Sequence, residues 1–227
     1  MYRILMIFSS HEALGGPGRT SEVQLEGFTT AYYAFEDGGA GLTLASPRGG
    51  EPPLGRARRS AADSLAGVAR FKNDPVARTL FADTIRLDQV YADDFDAIYV
   101  AGGCGAWWDL AADDCAAALA SAFWCAEKPM AFVGSGPVVL LQAMDSAARP
   151  IMAGKAVTGL SDAEVRASSL AGAPPFSLEA ALRAGGGLYR RGPDGDPLVV
   201  QDGRLITGQN PASAAATAQA LLATLGP

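Results

Sequence analysis

Short, unbroken apolar runs alternate along this chain with longer stretches of helical period. Arg3–Phe8 (RILMIF), residues 42–45 (LTLA), residues 97–101 (AIYVA) and Met130–Val133 (MAFV) are too short for helices and are bounded by Gly, Ser or Pro. Each therefore reads as a strand buried on both faces. Residues 21–35 place Val23, Leu25, Phe28, Tyr32 and Phe35 at near-helical spacing, and Gly38-Gly39 closes that helix. Residues 113–126 form an Ala-rich helix whose acidic pair, Asp113-Asp114, suits its positive end. Later, residues 157–158 begin a strand, and residues 161–169 and 177–184 read as helices. Residues 198–201 fold back on Leu205-Ile206 through Asp202-Gly203, a hairpin signal, and Asn210-Pro211 opens a last helix to about Leu225.

Strands separated by helices predict an α/β fold: a mostly parallel sheet covered on both faces, with a C-terminal β-hairpin. Ligands in such sheets sit at the carboxyl ends of the strands. That rule selects the loop after the first strand together with the helix bearing Glu26, residues 102–108, and residues 134–137. No internal repeat or linker divides residues 1–227, so one domain is expected. Residues 47–73, rich in Pro, Gly and Arg, read as a surface excursion.

Composition narrows the function classes. Hydrophobic residues make up 49% and charged residues 19%, as in an ordinary globular protein. A net charge of −6 argues against nucleic-acid or anionic-membrane partners, and Arg56, Arg58 and Arg59 fall in the expected excursion. MYRILMIF is too short for a signal peptide, and no run has the length of a membrane helix, so a cytoplasmic protein is expected. Cys104, Cys115 and Cys125 have neither disulfide nor zinc spacing, and His11 is the single histidine. No metal and no cofactor are expected. The partner expected is a small-molecule ligand.

The candidate chemistry centres on KPMAFVGSGPVVLLQA, from Lys128 to Ala143. A strand meets Gly-Ser-Gly-Pro and a second apolar run follows, the kind of turn on which enzymes mount a nucleophile. Its apex, Gly134, has no side chain. Ser135 is out of frame for the G-x-S-x-G elbow, because Val133 stands where the first glycine belongs. Ser135 is therefore expected to supply a backbone amide and a hydroxyl hydrogen bond.

The sets FSSHEALGG, GRTSEVQLEGFTTAYYAFEDGGAGLTLASPRGGEPPL, DDFDAIYVAGGCGAWWDL, KPMAFVGSGPVVL, GKAVTGLSDAE, PFSLEAALRAGGGLY and VVQDGRLITGQNPASA, in this order, resemble the DJ-1/PfpI superfamily in its Hsp31-like branch. The resemblance runs nearly end to end. It implies a flavodoxin-like three-layer sandwich of the glutamine amidotransferase-like class, a homodimer, and activities such as glutathione-independent glyoxalase or chaperone holding. Members commonly carry Cys-His-Gly-Pro at the turn, Gly-Gly-His-Gly after the third strand, and a Glu on the first helix. Carried over, Glu26 takes the acidic position, Gly134 and Ser135 stand for Cys-His before Gly136 and Pro137, and Cys104 stands for the His after Gly102-Gly103.

Two readings remain open. In one, the fold is a repurposed cofactor-independent enzyme acting on a small carbonyl compound, aromatic or not. Glu26 then moves protons, and the amides of Gly103, Gly134, Ser135 and Gly136 stabilise an oxyanion. In the other, the chain is a pseudoenzyme, a holdase or a ligand-binding relative. Cys104 reads equally as buried filler or as a relocated nucleophile. Trp107 and Trp108 read as packing or as a flat ligand wall, Tyr32 and Tyr33 as site or interface residues, and His11 as a structural hydrogen-bonding group. Thr158, Gly159, Ser161 and Asp162 match a loop near the site, and Cys115 and Cys125 read as inert.

Overall fold

The computed structural model describes residues 1–12, 25–53, 62–168, 170 and 172–226. Its first half runs β1 (Arg3–Phe8), α1 (Leu25–Asp37), β2 (Gly41–Ser46), α2 (Ala62–Asn73), α3 (Pro75–Ala82), β3 (Ile85–Arg86), β4 (Ala97–Gly102) and α4 (Asp114–Cys125). It continues with β5 (Met130–Val133), β6 (Ala156–Val157), α5 (Asp162–Ala167), α6 (Leu178–Ala184), β7 (Leu188–Tyr189), β8 (Val199–Asp202), β9 (Leu205–Gly208) and α7 (Ala214–Leu225). Seven strands form one sheet in the order β3-β2-β1-β4-β5-β9-β8. All pairings are parallel except that of β8 with β9, which closes the edge as the expected hairpin. β6 and β7 pair separately.

The two-residue period of the strands explains the three layers. Leu5, Ile7, Ile98, Val100, Met130 and Phe132 face one core with Leu119 and Phe123 of α4 and Leu178 and Leu182 of α6. Ile4, Met6, Phe8, Tyr99, Ala131 and Val133 face the other, against Phe28 and Phe35 of α1, Phe81 of α3 and Leu221 of α7. Rings lock the second core: Phe28 lies 4.7 Å from Phe81, 5.3 Å from Phe8 and 5.4 Å from Phe71. The flavodoxin-like sandwich is thus present.

Helix ends follow local chemistry. Asp74 accepts from the N–H groups of Val76 and Ala77 and starts α3, with Pro75 in the first turn. Asp113 accepts from Ala116 N–H and starts α4, one residue later than the pattern suggested. Ser161 and Glu164 form a reciprocal capping box on α5.

The stretch 47–73 corrects the expectation of a surface excursion. Ala62–Asn73 is helical and packs on α1, with Val68 and Phe71 buried. Averaging Pro, Gly and Arg over the whole stretch hid an apolar pair at helical spacing. Residues 54–61, residues 21–24 of the expected first helix and residues 13–18 of the glycine-rich loop lie outside the described residues. No described helix is long and apolar enough to cross a membrane.

Candidate functional site

Neighbouring strand ends meet at one cavity. β4 ends at Gly102, and the chain turns into a four-residue 3-10 segment, Cys104–Trp107. β5 ends at Val133, and Gly134-Ser135 leads into a second 3-10 segment, Gly136–Leu141, where a helix was expected. Gly134 is held from both sides: its N–H donates to the Gly208 carbonyl at 2.9 Å, and its carbonyl accepts from Leu160 N–H at 2.8 Å. Its φ is +62°, in the left-handed region, and among the described residues nothing lies within 4 Å of the place a Cβ would take. Gly136 is the opposite case, since a Cβ there would collide with the Val100 carbonyl.

Ser135 is buried, and its hydroxyl donates to the Gly103 carbonyl at 2.7 Å. A serine nucleophile needs a base to take that proton. Here the hydroxyl ties the β5 turn to the β4 loop instead. Its N–H meets no acceptor among the described residues.

The cavity encloses about 60 Å³ and is lined, among the described residues, by Gly27, Phe28, Ala101, Gly103, Cys104, Trp107, Val133, Gly134, Ser135, Leu160, Leu170, Pro211 and Ala214. At roughly 10–15 Å³ per water-sized group, that is room for about four to six of them. The wall is predominantly apolar. Trp107, one of the lining residues, is 4% exposed, and its Nε1 is buried without a hydrogen-bond partner among the described residues. A buried donor left unpaired costs about 1–3 kcal/mol, which a ligand oxygen would recover.

Of the residues singled out in the sequence, Gly103, Cys104, Trp107, Gly134 and Ser135 come together here. Glu26 stands in the first turn of α1, half-buried, with Oε1 buried and unpartnered. It is not in the lining, where its neighbours Gly27 and Phe28 stand. Gly136 is behind the turn, against β4. Tyr32 and Tyr33 are also outside the lining. They sit one turn farther along α1, about 6 Å at 1.5 Å per residue, where Tyr33 donates to Asp74. Burial, with Glu36 and Asp74 nearby, pushes Tyr32 up to about 12.

His11 and Trp108 form a separate pair beside the site. Their rings stack at 5.5 Å with an interplanar angle of 5°. Next to them, Asp109 Oδ2 accepts from Ser9 Oγ at 3.0 Å and Ser10 N–H at 2.7 Å, while Oδ1 accepts from Leu110 N–H at 2.7 Å. Burial raises the Asp109 pKa, against the lowering effect of these donors. The carboxylate clasps the end of β1 to the segment that carries Cys104 and Trp107. Of the loop matched at Thr158, Gly159, Ser161 and Asp162, only the intervening Leu160 lines the cavity. Gly159 accepts from Tyr189, and Ser161 and Asp162 serve α5 and Ser177.

The sequence reading missed Gly27, Leu160, Leu170, Pro211 and Ala214. Pro211 alone had a local signal, because Asn210-Pro211 begins a helix directly after a strand end. Cys104, Cys115 and Cys125 form no disulfide with one another, and burial beside Asp113 raises Cys115. Among the described residues, no group of three or more His, Cys, Asp or Glu could hold a metal ion.

The DJ-1/PfpI family model matches residues 20–224. The chain belongs to the DJ-1/PfpI family. It is 31% identical over 139 residues to a probable glutathione-independent glyoxalase, hsp3104, of Schizosaccharomyces pombe, covering 58% of this chain and 62% of that protein. The match thus spans less than two thirds of that relative's length. Rapid Encystment Protein 24 kDa of Francisella tularensis shares the fold over 100% of both chains, with a TM-score of 0.91 and 26% identity. Glyoxalase III of Candida albicans superposes with a TM-score of 0.85 over 98% of this chain and 97% of that one, at 20% identity, a likeness of fold. The DJ-1/PfpI sandwich is the frame in which the cavity sits.

Proposed function

We propose that this DJ-1/PfpI chain binds a small, largely apolar carbonyl compound in the cavity, and that it does so without a thiolate at the β5 turn. The observation that carries this reading is Trp107, a residue of the predominantly apolar lining whose buried Nε1 has no hydrogen-bond partner among the described residues. A carbonyl oxygen satisfies such a donor, and the Ser135 N–H, which meets no acceptor among the described residues, offers a second one. The volume limits the ligand to a few heavy atoms. The open space over Gly134 lies where the family resemblance sets a cysteine, so turnover by the route of glyoxalase relatives is not expected here. A homodimer and a cytoplasmic setting belong to the same reading.

The test is calorimetric titration with butanal, a small aldehyde of suitable size. Saturable one-to-one binding, weakened about five- to ten-fold in Trp107→Phe by loss of one hydrogen bond, is expected. No saturable binding, or binding indifferent to Trp107→Phe, overturns the reading.

A second reading has its own support. Glu26 Oε1 is buried and unpartnered one residue from Gly27 in the lining, a position from which a carboxylate could exchange protons with a bound carbonyl compound. Turnover of any small carbonyl compound that is lost in Glu26→Gln, with folding unchanged, would favour this enzyme over the binder. Turnover that survives Glu26→Gln would remove it.

A further inference from the structure

The 3-10 segment after β4 carries two cavity-lining groups of complementary chemistry. Cys104 begins it and Trp107 ends it. In a 3-10 helix, residues i and i+3 stand one above the other on the same face, about 6 Å apart along the axis at roughly 2 Å per residue. The turn thus roots a cysteine and a tryptophan one above the other, and both residues line the cavity. Trp107 is 4% exposed, and its Nε1 has no hydrogen-bond partner among the described residues. Cys104 is half-buried and in no disulfide.

We propose that Cys104 captures a small α,β-unsaturated aldehyde by conjugate addition while Trp107 Nε1 holds the carbonyl oxygen. The inference rests on the proposed reading of this cavity as a carbonyl site. The choice of a conjugated carbonyl follows from spacing and from proton supply. In a simple aldehyde the oxygen is one bond from the carbon attacked; in a conjugated one it is three bonds away, which suits a donor rooted one full turn from the sulfur. Among the described residues the lining holds no carboxylate or imidazole, since Glu26 and His11 lie outside it. A simple adduct at the carbonyl carbon reverts readily. A conjugate adduct is a stable thioether and needs no resident base to persist.

The step balances without a co-reactant. Sulfur forms a bond to the β-carbon, and the carbon–carbon π pair shifts to give an enolate whose oxygen accepts from Trp107 Nε1–H and Ser135 N–H. The thiol proton then ends on the α-carbon. The carbonyl re-forms, nothing is oxidised or reduced, and the product is a saturated thioether aldehyde. The sulfur comes from the β4 loop, so the empty apex at Gly134 leaves room for the ligand.

Limiting crotonaldehyde, followed by peptide mapping with mass spectrometry, tests the proposal with internal controls. Cys125 is exposed, so accessibility alone would label it first. Cys104 is expected to label faster than Cys115 and Cys125, with a rate that saturates in crotonaldehyde. Trp107→Phe, which keeps an aromatic ring, should slow Cys104 about five- to ten-fold and leave the other two unchanged. Butanal, which lacks the double bond, should protect Cys104 by competition. Labelling led by Cys125, or a Cys104 rate indifferent to Trp107→Phe, overturns the proposal. If butanal binds in the titration while Cys104 stays unlabelled, the covalent step falls and the carbonyl site stands. If butanal neither binds nor protects, both fall. Should Trp107→Phe lose its folded spectrum, butanal protection of the unmodified protein carries the test alone.

Discussion

Gly134 and Gly136 sit two residues apart on the same turn, yet alanine should injure the protein at them for different reasons and by different amounts. At Gly134 the obstacle is conformational. A φ of +62° costs an L-residue about 1–2 kcal/mol, and no atom of the described residues lies within 4 Å to add a steric cost. Alanine also restricts the unfolded chain, which returns about 0.4–1 kcal/mol. The expected net loss for Gly134→Ala is therefore about 1 kcal/mol. At Gly136 the obstacle is packing, because the new methyl collides with the Val100 carbonyl in the centre of the sheet. Backbone must shift, and overpacking of this kind costs about 1–3 kcal/mol or more. For a chain of this size each kcal/mol lowers Tm by about 2–4 °C. Urea and thermal denaturation of the two variants against the wild type would read both numbers. Gly134→Ala should fall about 2–4 °C below wild type, and Gly136→Ala well below that. If Gly134→Ala is as damaging as Gly136→Ala, the space over the apex is filled. If it is stabilising, the left-handed apex is wrong. Either result would refute the account of the turn.

Two further predictions concern the frame around the site. Phe81 is buried among Phe8, Phe28 and Phe71, so Phe81→Ala should cost about 3–5 kcal/mol, read by urea denaturation. Burial works to raise the Glu164 carboxyl, but hydrogen bonds from Asn210, Gly195, Ser161 and Gln209 outweigh it and hold the pKa below its usual value. A depressed acid contributes stability above its unfolded pKa and loses it as pH falls through the folded one. Because the group is partly solvated, Glu164→Gln should cost only about 1 kcal/mol at neutral pH. The gap from wild type should narrow steadily as denaturation is repeated below the ordinary carboxylate range, and a gap that stays constant there would contradict this role.

The parts of this fold legible in the sequence are those encoded locally. β1 and β5 match their apolar runs end to end, because a short run buried on both faces has sharp polar or glycine borders. The β8–β9 hairpin announced itself through Asp202-Gly203, where Gly203 adopts a φ of +64°. β3 left no trace, since its two residues, Ile85 and Arg86, are exposed and only extend the sheet edge. The site was half legible. Cys104, Trp107, Gly134 and Ser135 lie directly after strand ends, where the sheet rule points. Leu170, Pro211 and Ala214 reach the cavity from distant chain segments, and only Pro211, in a helix start directly after a strand end, carries a local sign of it. Glu26 shows the limit of reading a helix without its rotation. Consecutive residues differ by about 100° around the axis, and the neighbours Gly27 and Phe28 are the ones that line the wall.

The Asp109 clasp carries a consequence for how the site comes into being. It joins Ser9 and Ser10 to a residue about one hundred positions later, so its loop closes only after β1 and β4 have paired at the centre of the sheet. Contacts of such separation form slowly, because the chain between them must be ordered before they repay its entropy. The turn bearing Cys104 and Trp107 is fastened by that same carboxylate. A nascent or partly folded chain therefore possesses the cysteine but not the cavity, which is acquired only at a late stage of folding.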